Sequence, residues 1–399
     1  MLDIWPAFPL IIKSNSYYSK RGADNLAAAL KCSDRVCEID LSIFEDVAWE
    51  ILLAAMQQTF PGLTYLRLWP FSGMHLKEVV PDSFLGGFAP HLESLMLSGI
   101  RFPGLPKLLL SATHLVNFNF YNIPHSGYIS PDAVVAALST LTSLKRLWLS
   151  FNSPKSCPNL ETRRLPPSTR SVLPVLTNFR FKGASEYLED LLTDINAPQL
   201  NKLSIQFFND IVFDTPELIR FISRTPMSSA FENVHIILEG GTARVTFRSQ
   251  KDDFEVSILC RGLDWMLSSL EQVCSSCLPF LSTLEDLYIY DDTRLQPDWK
   301  DNIENRLLWL ELLHPFTTVK NLFLSERIAL LIGPALQELV EGRATEALPT
   351  LANIFLEPGG PAEEGIRRFV DARQSSSHPI AISPWTNSKQ DMDVSRYLI

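Results

Sequence analysis

The sequence is poor in cysteine, histidine, glycine and positive charge. Its 6 cysteines are too few to staple 399 residues, which excludes a disulfide scaffold and points to a reducing interior, cytoplasmic or nuclear. Lysine and arginine number 35 against 45 acidic residues, a net charge of −10. That balance argues against a nucleic-acid surface, which carries a basic excess, and against an anionic membrane as partner. No window approaches the ~20 apolar residues of a membrane span. The start, "MLDIWPAFPLII", is apolar, but Asp3 stands where a signal peptide is positive, and Pro6 and Pro9 break the run. The 17 glycines are outnumbered by 27 prolines, which favours many rigid breaks between short elements.

Patterns that carry chemistry are missing too. The 7 histidines are scattered, and none forms His-Glu-x-x-His or another metal spacing. Cys274-x-x-Cys277 has no second ligand pair and falls in an expected helix, so both read as structural cysteines. Gly240-Gly241-Thr242 is not followed by a phosphate-loop lysine and reads as a turn. Asp291-Asp292 and Pro297-Asp298 read as a solvated acidic loop, and there is no Gly-x-Ser-x-Gly elbow. The expectation is therefore a non-enzymatic protein without catalytic residues, metal or cofactor. An enzyme would need a deep polar pocket of converging carboxylates or histidines.

What the sequence does have is a spacing. In "SLKRLWLSFN" (143–152) the apolar residues fall as apolar-x-x-apolar-x-apolar at Leu144, Leu147 and Leu149. The pattern matches at Val36-Ile39-Leu41, Leu63-Leu66-Leu68, Leu92-Leu95-Leu97 and Leu115-Phe118-Phe120. It returns at Leu176-Phe179-Phe181, Leu200-Leu203-Ile205, Phe231-Val234-Ile236, Leu284-Leu287-Ile289, Val319-Leu322-Leu324 and Leu351-Ile354-Leu356. Starts recur every 23–35 residues, apart from one interval of 53. A run at near-constant spacing is the signature of stacked repeats.

Within a triplet the second and third residues lie on one face of a short strand, and the first enters the same core from the preceding turn. One unit cannot bury its own apolar face, so units stack in register. Helical stretches separate the strands. "SPDAVVAALSTL" (130–141) opens with Ser130 as N-cap and Pro131 at the first helical position, and "DTPELIRFISRT" (214–225) repeats the device with Thr215 and Pro216. Further helices are expected over 45–58, 184–195, 262–278, 298–313, 329–341 and 361–372.

The fold class expected is α/β. It is an irregular, leucine-rich-repeat-like right-handed solenoid over 1–372, with a parallel sheet on the concave face and helices on the convex face. The asparagine that usually ties down the turn has only Asn152 as counterpart. Residues 233–262 alternate in three runs around Gly240-Gly241 and read as an inserted antiparallel meander. The stretch 152–172 reads as a polar, proline-rich loop, and 373–399 as a poorly ordered tail outside the repeat.

The residue between the second and third apolar positions points away from the core. With strands about 4.8 Å apart these residues form a lateral row. The candidates for protein binding on it are Arg67, Trp148, Arg180, His235, Tyr288, Phe323 and Phe355. Arginine and aromatics on an open surface are what binding hot spots are made of. The alternative is that loops or the C-terminal tail cover them.

The chain resembles the fungal F-box proteins with leucine-rich-type repeats. The resemblance rests on "LDIWPAFPLII", "NLAAALKCSDRVCEIDL", "FPGLTYLRLWP", "PDSFLGGFAPHLESLMLSGIRFPGLPKLLLSATHLVNF" and "FENVHIILEGG", and covers most of 2–372. It implies that the repeat arc holds a target protein, as yet unknown. In that family a helical F-box, usually opening with Leu-Pro, hands the target to a cullin-based ubiquitin ligase by gripping its adaptor. No such segment is readable before residue 13 or after 373. The adaptor is an expected partner only if an F-box precedes this sequence; otherwise the chain is a stand-alone interaction scaffold.

Overall fold

The computed structural model describes residues 8–14, 20–71, 76, 78–153, 170–208, 215–229, 231–260, 262–276, 281, 283–291, 303–339, 345–357, 362–375 and 378–385. The chain divides into two compact units, Met1–Phe208 with Thr215–Pro226, and Asn209–Asp214 with Met227–Ile399.

The first unit alternates strand and helix. Its elements run β1 (Leu10–Ser14), α1 (Lys20–Leu30), β2 (Val36–Ile43), α2 (Asp46–Ala55), β3 (Tyr65–Pro70), β4 (Ser94–Ser98), α3 (Leu105–Leu109) and β5 (Asn117–Ile123). They continue with α4 (Pro131–Leu138), β6 (Arg146–Phe151), β7 (Ser171–Val172), β8 (Asn178–Gly183), α5 (Ser185–Asp194), β9 (Ile195–Asn196), β10 (Lys202–Phe207) and α6 (Pro216–Ser223). The sheet order β1-β2-β3-β4-β5-β6-β8-β10 is sequence order, and each pairing is parallel. β7 and β9 make a separate two-stranded parallel sheet.

The second unit holds β11 (Asn233–Glu239), β12 (Thr242–Arg248), β13 (Asp253–Leu259), α7 (Leu263–Ser276), β14 (Asp286–Asp291) and α8 (Ile303–Leu313). It ends with β15 (Asn321–Leu324), α9 (Glu326–Gln337), β16 (Asn353–Leu356), α10 (Ala362–Ser375) and β17 (Ala381–Pro384). The three alternating runs form an antiparallel meander, with β12 between β11 and β13. Gly241 sits in its first turn at φ 109°, a backbone region open to glycine. From β11 the sheet continues in parallel through β14, β15, β16 and β17.

The triplets are the core. Every triplet residue is buried, and Leu356 is the most exposed at 7%. Their registers run straight across the strands. Ile39 pairs with Leu66, Leu66 with Leu95, Leu95 with Phe118, Phe118 with Leu147, Leu147 with Phe179, and Phe179 with Leu203. In the second unit Val234, Leu287, Leu322 and Ile354 line up in the same way. Helices close this side: the Tyr187 ring of α5 lies 4.6 Å from Phe151 and 5.9 Å from Phe181, and its hydroxyl donates to the Ile129 carbonyl.

Main-chain clamps join successive repeats ahead of the strands. Before β4, β5, β6, β8, β10, β15 and β16, one carbonyl accepts two successive N–H groups of the next repeat. Thr64 O takes Glu93 and Ser94 at 2.8 and 3.0 Å, and Glu93 O takes Val116 and Asn117 at 2.8 and 3.0 Å. The same clamp recurs at the carbonyls of Val116, Lys145, Thr177, Glu285 and Lys320. Both lone pairs of one oxygen are used each time.

Two expectations are corrected. Ser130 does cap α4, its hydroxyl accepting from the Ala133 N–H at 3.3 Å, but Thr215 makes no such bond on α6. The carboxylate of Glu189, buried on α5, instead accepts from the N–H groups of Glu217 and Leu218 at 2.8 and 2.9 Å. A carboxylate is the better acceptor at a helix N-terminus because it also meets the helix dipole.

The segment read as a tail begins inside α10. There Arg373 is fully buried, and its Nη2 donates to the carbonyls of Leu348, Pro349 and Leu351 at 3.2–3.3 Å. Residues 381–384 then add a parallel strand to β16.

Strand β1 and helix α1 lie outside the triplet series. Of the other sequence features, Cys274 is buried on α7, whereas Cys277, Asp292 and Asp298 lie outside the described residues. No described helix is long and apolar enough to cross a membrane.

Candidate functional site

Alternation that sends the triplets inward sends the residues between them to the opposite face of the sheet. In the first unit the register aligns Lys13, Asp40, Arg67, Met96, Asn119, Trp148, Arg180 and Ser204 in one row. In the second it aligns His235, Tyr288, Phe323, Phe355 and Ser383. The seven candidate residues therefore fall into two groups, one on each unit.

In the first unit, Arg67, Trp148 and Arg180 are half-buried. The Arg67 guanidinium sits 4.8 Å from the Trp69 ring centre and 3.9 Å from the Asp40 carboxylate. Burial pushes the Tyr121 phenol above its ordinary value, and the Arg67 charge pulls the other way. Tyr121 stacks on Trp148 with ring centroids 5.2 Å apart, and the Arg180 guanidinium lies 5.3 Å from the Trp148 ring centre. Two guanidinium groups, Arg67 on β3 and Arg180 on β8, thus lie against rings on this face, and the Asp40 carboxylate of β2 lies beside the first.

Trp69 and Tyr121 escape a reading that takes one residue per repeat. They stand two residues further along their strands, which returns them to the same face. The same shift places small side chains beside the rings: Ser42 is opposite Trp69, and Ser98 opposite Tyr121, both serines buried. An apolar or aromatic residue two places after the row position is the signal that finds them.

In the second unit the rings form one stack. His235 to Tyr288 measures 4.4 Å between centroids, Tyr288 to Phe323 4.1 Å, and Phe323 to Phe355 4.5 Å, all within 9° of parallel. Alongside runs a polar ladder. The Asn353 amide donates to Asn321 Oδ1 at 2.8 Å, and the Asn321 amide donates to Asp286 Oδ1 at 2.7 Å.

His235 is the departure from the expected display, because it is only 9% exposed. It lies between Thr246 and Tyr288 in register, 6.0 Å from the Tyr290 ring, and one ring nitrogen meets Asn233 Oδ1 at 3.1 Å. Burial, with Arg248 adding, pushes its pKa down to about 3. It supports the stack from within, while Tyr288, Phe323 and Phe355 are half-exposed.

Trp385, directly after β17, covers part of that stack. Its ring lies 6.0 Å from Tyr288 and 5.8 Å from Phe323, and its own N–H donates to the Leu356 carbonyl at 2.7 Å. Cover by the C-terminal segment is thus real over Tyr288 and Phe323. Nothing in the repeat pattern marks Trp385, which stands outside it.

Among the described residues no grouping of three His, Cys, Asp or Glu side chains could hold a metal ion. The face offers rings, guanidinium groups and amides, which suits non-covalent recognition of another chain.

No protein-family model matches this sequence, and no curated protein does. Among solved structures, the leucine-rich repeat-containing protein LegL7 from Legionella pneumophila aligns over 91% of this chain and 97% of its own, at 13% identity and a TM-score of 0.29.

Proposed function

We propose that this chain is a non-enzymatic, protein-binding repeat domain of the leucine-rich-repeat kind. It captures its target on the sheet face opposite the triplets, and its units wind as a right-handed solenoid with that face inward. It acts inside the cell, in cytoplasm or nucleus, as the substrate-recognition part of an F-box-type, cullin-based ubiquitin ligase receptor. The observation that carries the binding role is the row of arginine and aromatic side chains held in register on one face. Those residue types dominate binding energy when a partner desolvates them.

Crosslinked capture from the native cell tests both levels, using the wild-type chain beside Trp148→Ala and Tyr288→Ala. Proteins retained by wild type should be lost from the variants by about 2 kcal/mol of binding each. Retention unchanged in both variants places the target elsewhere. Adaptor and cullin in the wild-type capture support the ligase role, and their absence beside a retained target leaves a stand-alone scaffold.

A further inference from the structure

Among the described residues β17 is the last strand of its sheet, paired with β16 on one side. The N–H groups of Ala381 and Trp385 donate to the carbonyls of Ala352 and Leu356 at 2.9 and 2.7 Å. Alternate residues of a strand turn their amides to the same side, so Ser383 also faces β16, while Ile382 and Pro384 face away. Proline has no N–H, and on an edge it blocks further pairing. Within β17 the outer side therefore offers one amide, that of Ile382. A strand that joins the sheet here must take the place of β17 rather than lie beside it.

β17 is lightly held. β15, β16 and β17 have four residues each; two are buried in β15 and two in β16, but none in β17, and Trp385 is half-exposed. What β17 does present is a pattern. Ala381 and Ser383 lie beside Asn353 and Phe355 on the candidate face, and Trp385, two residues further on, returns to that face. Its ring reaches past β16 to Phe323 on β15 and Tyr288 on β14, inclined 68° and 59° to their planes. Inclined contact of this kind is favourable between aromatic rings.

Resting on the protein-binding reading above, we infer that β17 and Trp385 hold the partner's place. The partner docks as an extended segment of the form small-x-small-x-aromatic. That segment displaces β17 from β16 and sets its own ring against Tyr288 and Phe323. In strand addition the main-chain bonds supply affinity, and side chains at alternate positions supply selectivity. The free chain is thus self-blocked, and the partner's apparent affinity falls with the fraction of chains in which β17 is docked.

Fluorescence anisotropy on the full chain tests this. The probe is a labelled peptide of residues 378–385, HPIAISPW, beside the same peptide carrying Trp385→Ala. Two chain variants loosen β17 by different routes: Trp385→Ala removes the ring, and Ser383→Pro removes the central amide. Each should bind the tryptophan peptide at least about fivefold more tightly than wild type does. Adding Tyr288→Ala to the Trp385→Ala chain should weaken that peptide about tenfold, and the alanine peptide should be weaker by a similar factor. Circular dichroism confirms folding, and each variant guards against misfolding of the other.

Equal affinity of wild type and both variants, no saturable binding to any chain, or equal binding of the two peptides would overturn the inference. So would a wild-type dimer in sedimentation velocity that Trp385→Ala abolishes, which would assign the groove to β17 of a second copy. In the crosslinked capture, a target that depends on Tyr288 yet is retained equally by wild type and Trp385→Ala would sink this inference and leave the protein-binding reading standing.

Discussion

His235 shows how burial converts a displayed residue into a structural one. Its folded pKa is about 3 against 6.5 for the free side chain. Between those values the unfolded chain binds a proton that the folded chain refuses, so its contribution is complete above pH 6.5 and is lost as pH falls toward 3. The urea midpoint should therefore drop more steeply with acid in wild type than in His235→Phe, which keeps a ring against Tyr288; parallel curves would refute this. Glu189 makes a second residue-level case. Replacing it with Ala removes both acceptors from the start of α6 and should cost about 1–2 kcal/mol in urea unfolding, with Glu189→Gln between. Neither role is readable locally. Burial of His235 depends on Thr246 and Tyr290 from other strands, and Glu189 caps a helix that begins 27 residues later.

At the level of elements, helices and strands with their own local signals are readable and elements without them are not. Pro131 and Ser130 announce α4, and the triplets announce their strands, because a buried alternation cannot be hidden. β1, α1 and β17 carry no triplet and become visible only when the neighbouring strand supplies a partner. β17 matters for the candidate face because it delivers Trp385. Trp385→Ala removes two ring contacts and should cost about 1 kcal/mol, with more binding of an apolar dye as Tyr288 and Phe323 open. Unchanged dye binding would mean that the rings are covered without it. The lateral row was legible from spacing alone, but only at one residue per repeat. Trp69, Tyr121 and Lys182 sit two places further on and complete the face.

Across the whole molecule, each strand's buried residues touch mainly those of the strands beside it. Leu147→Ala opens a cavity between Phe118 and Phe179 and should cost about 2–5 kcal/mol. Hydrogen exchange should show faster amides in β5, β6 and β8 while β15 and β16 keep their protection. Uniform acceleration would contradict nearest-neighbour stability. The carbonyl clamps that precede the strands have a consequence of another kind. They are made of main chain alone, so they do not care which amino acid occupies the two donating positions, provided it has an amide hydrogen. None of the 27 prolines stands at any of them. Mutation can rewrite these junctions almost freely while the architecture persists, and kinship between such chains fades from their letters long before it fades from their backbones.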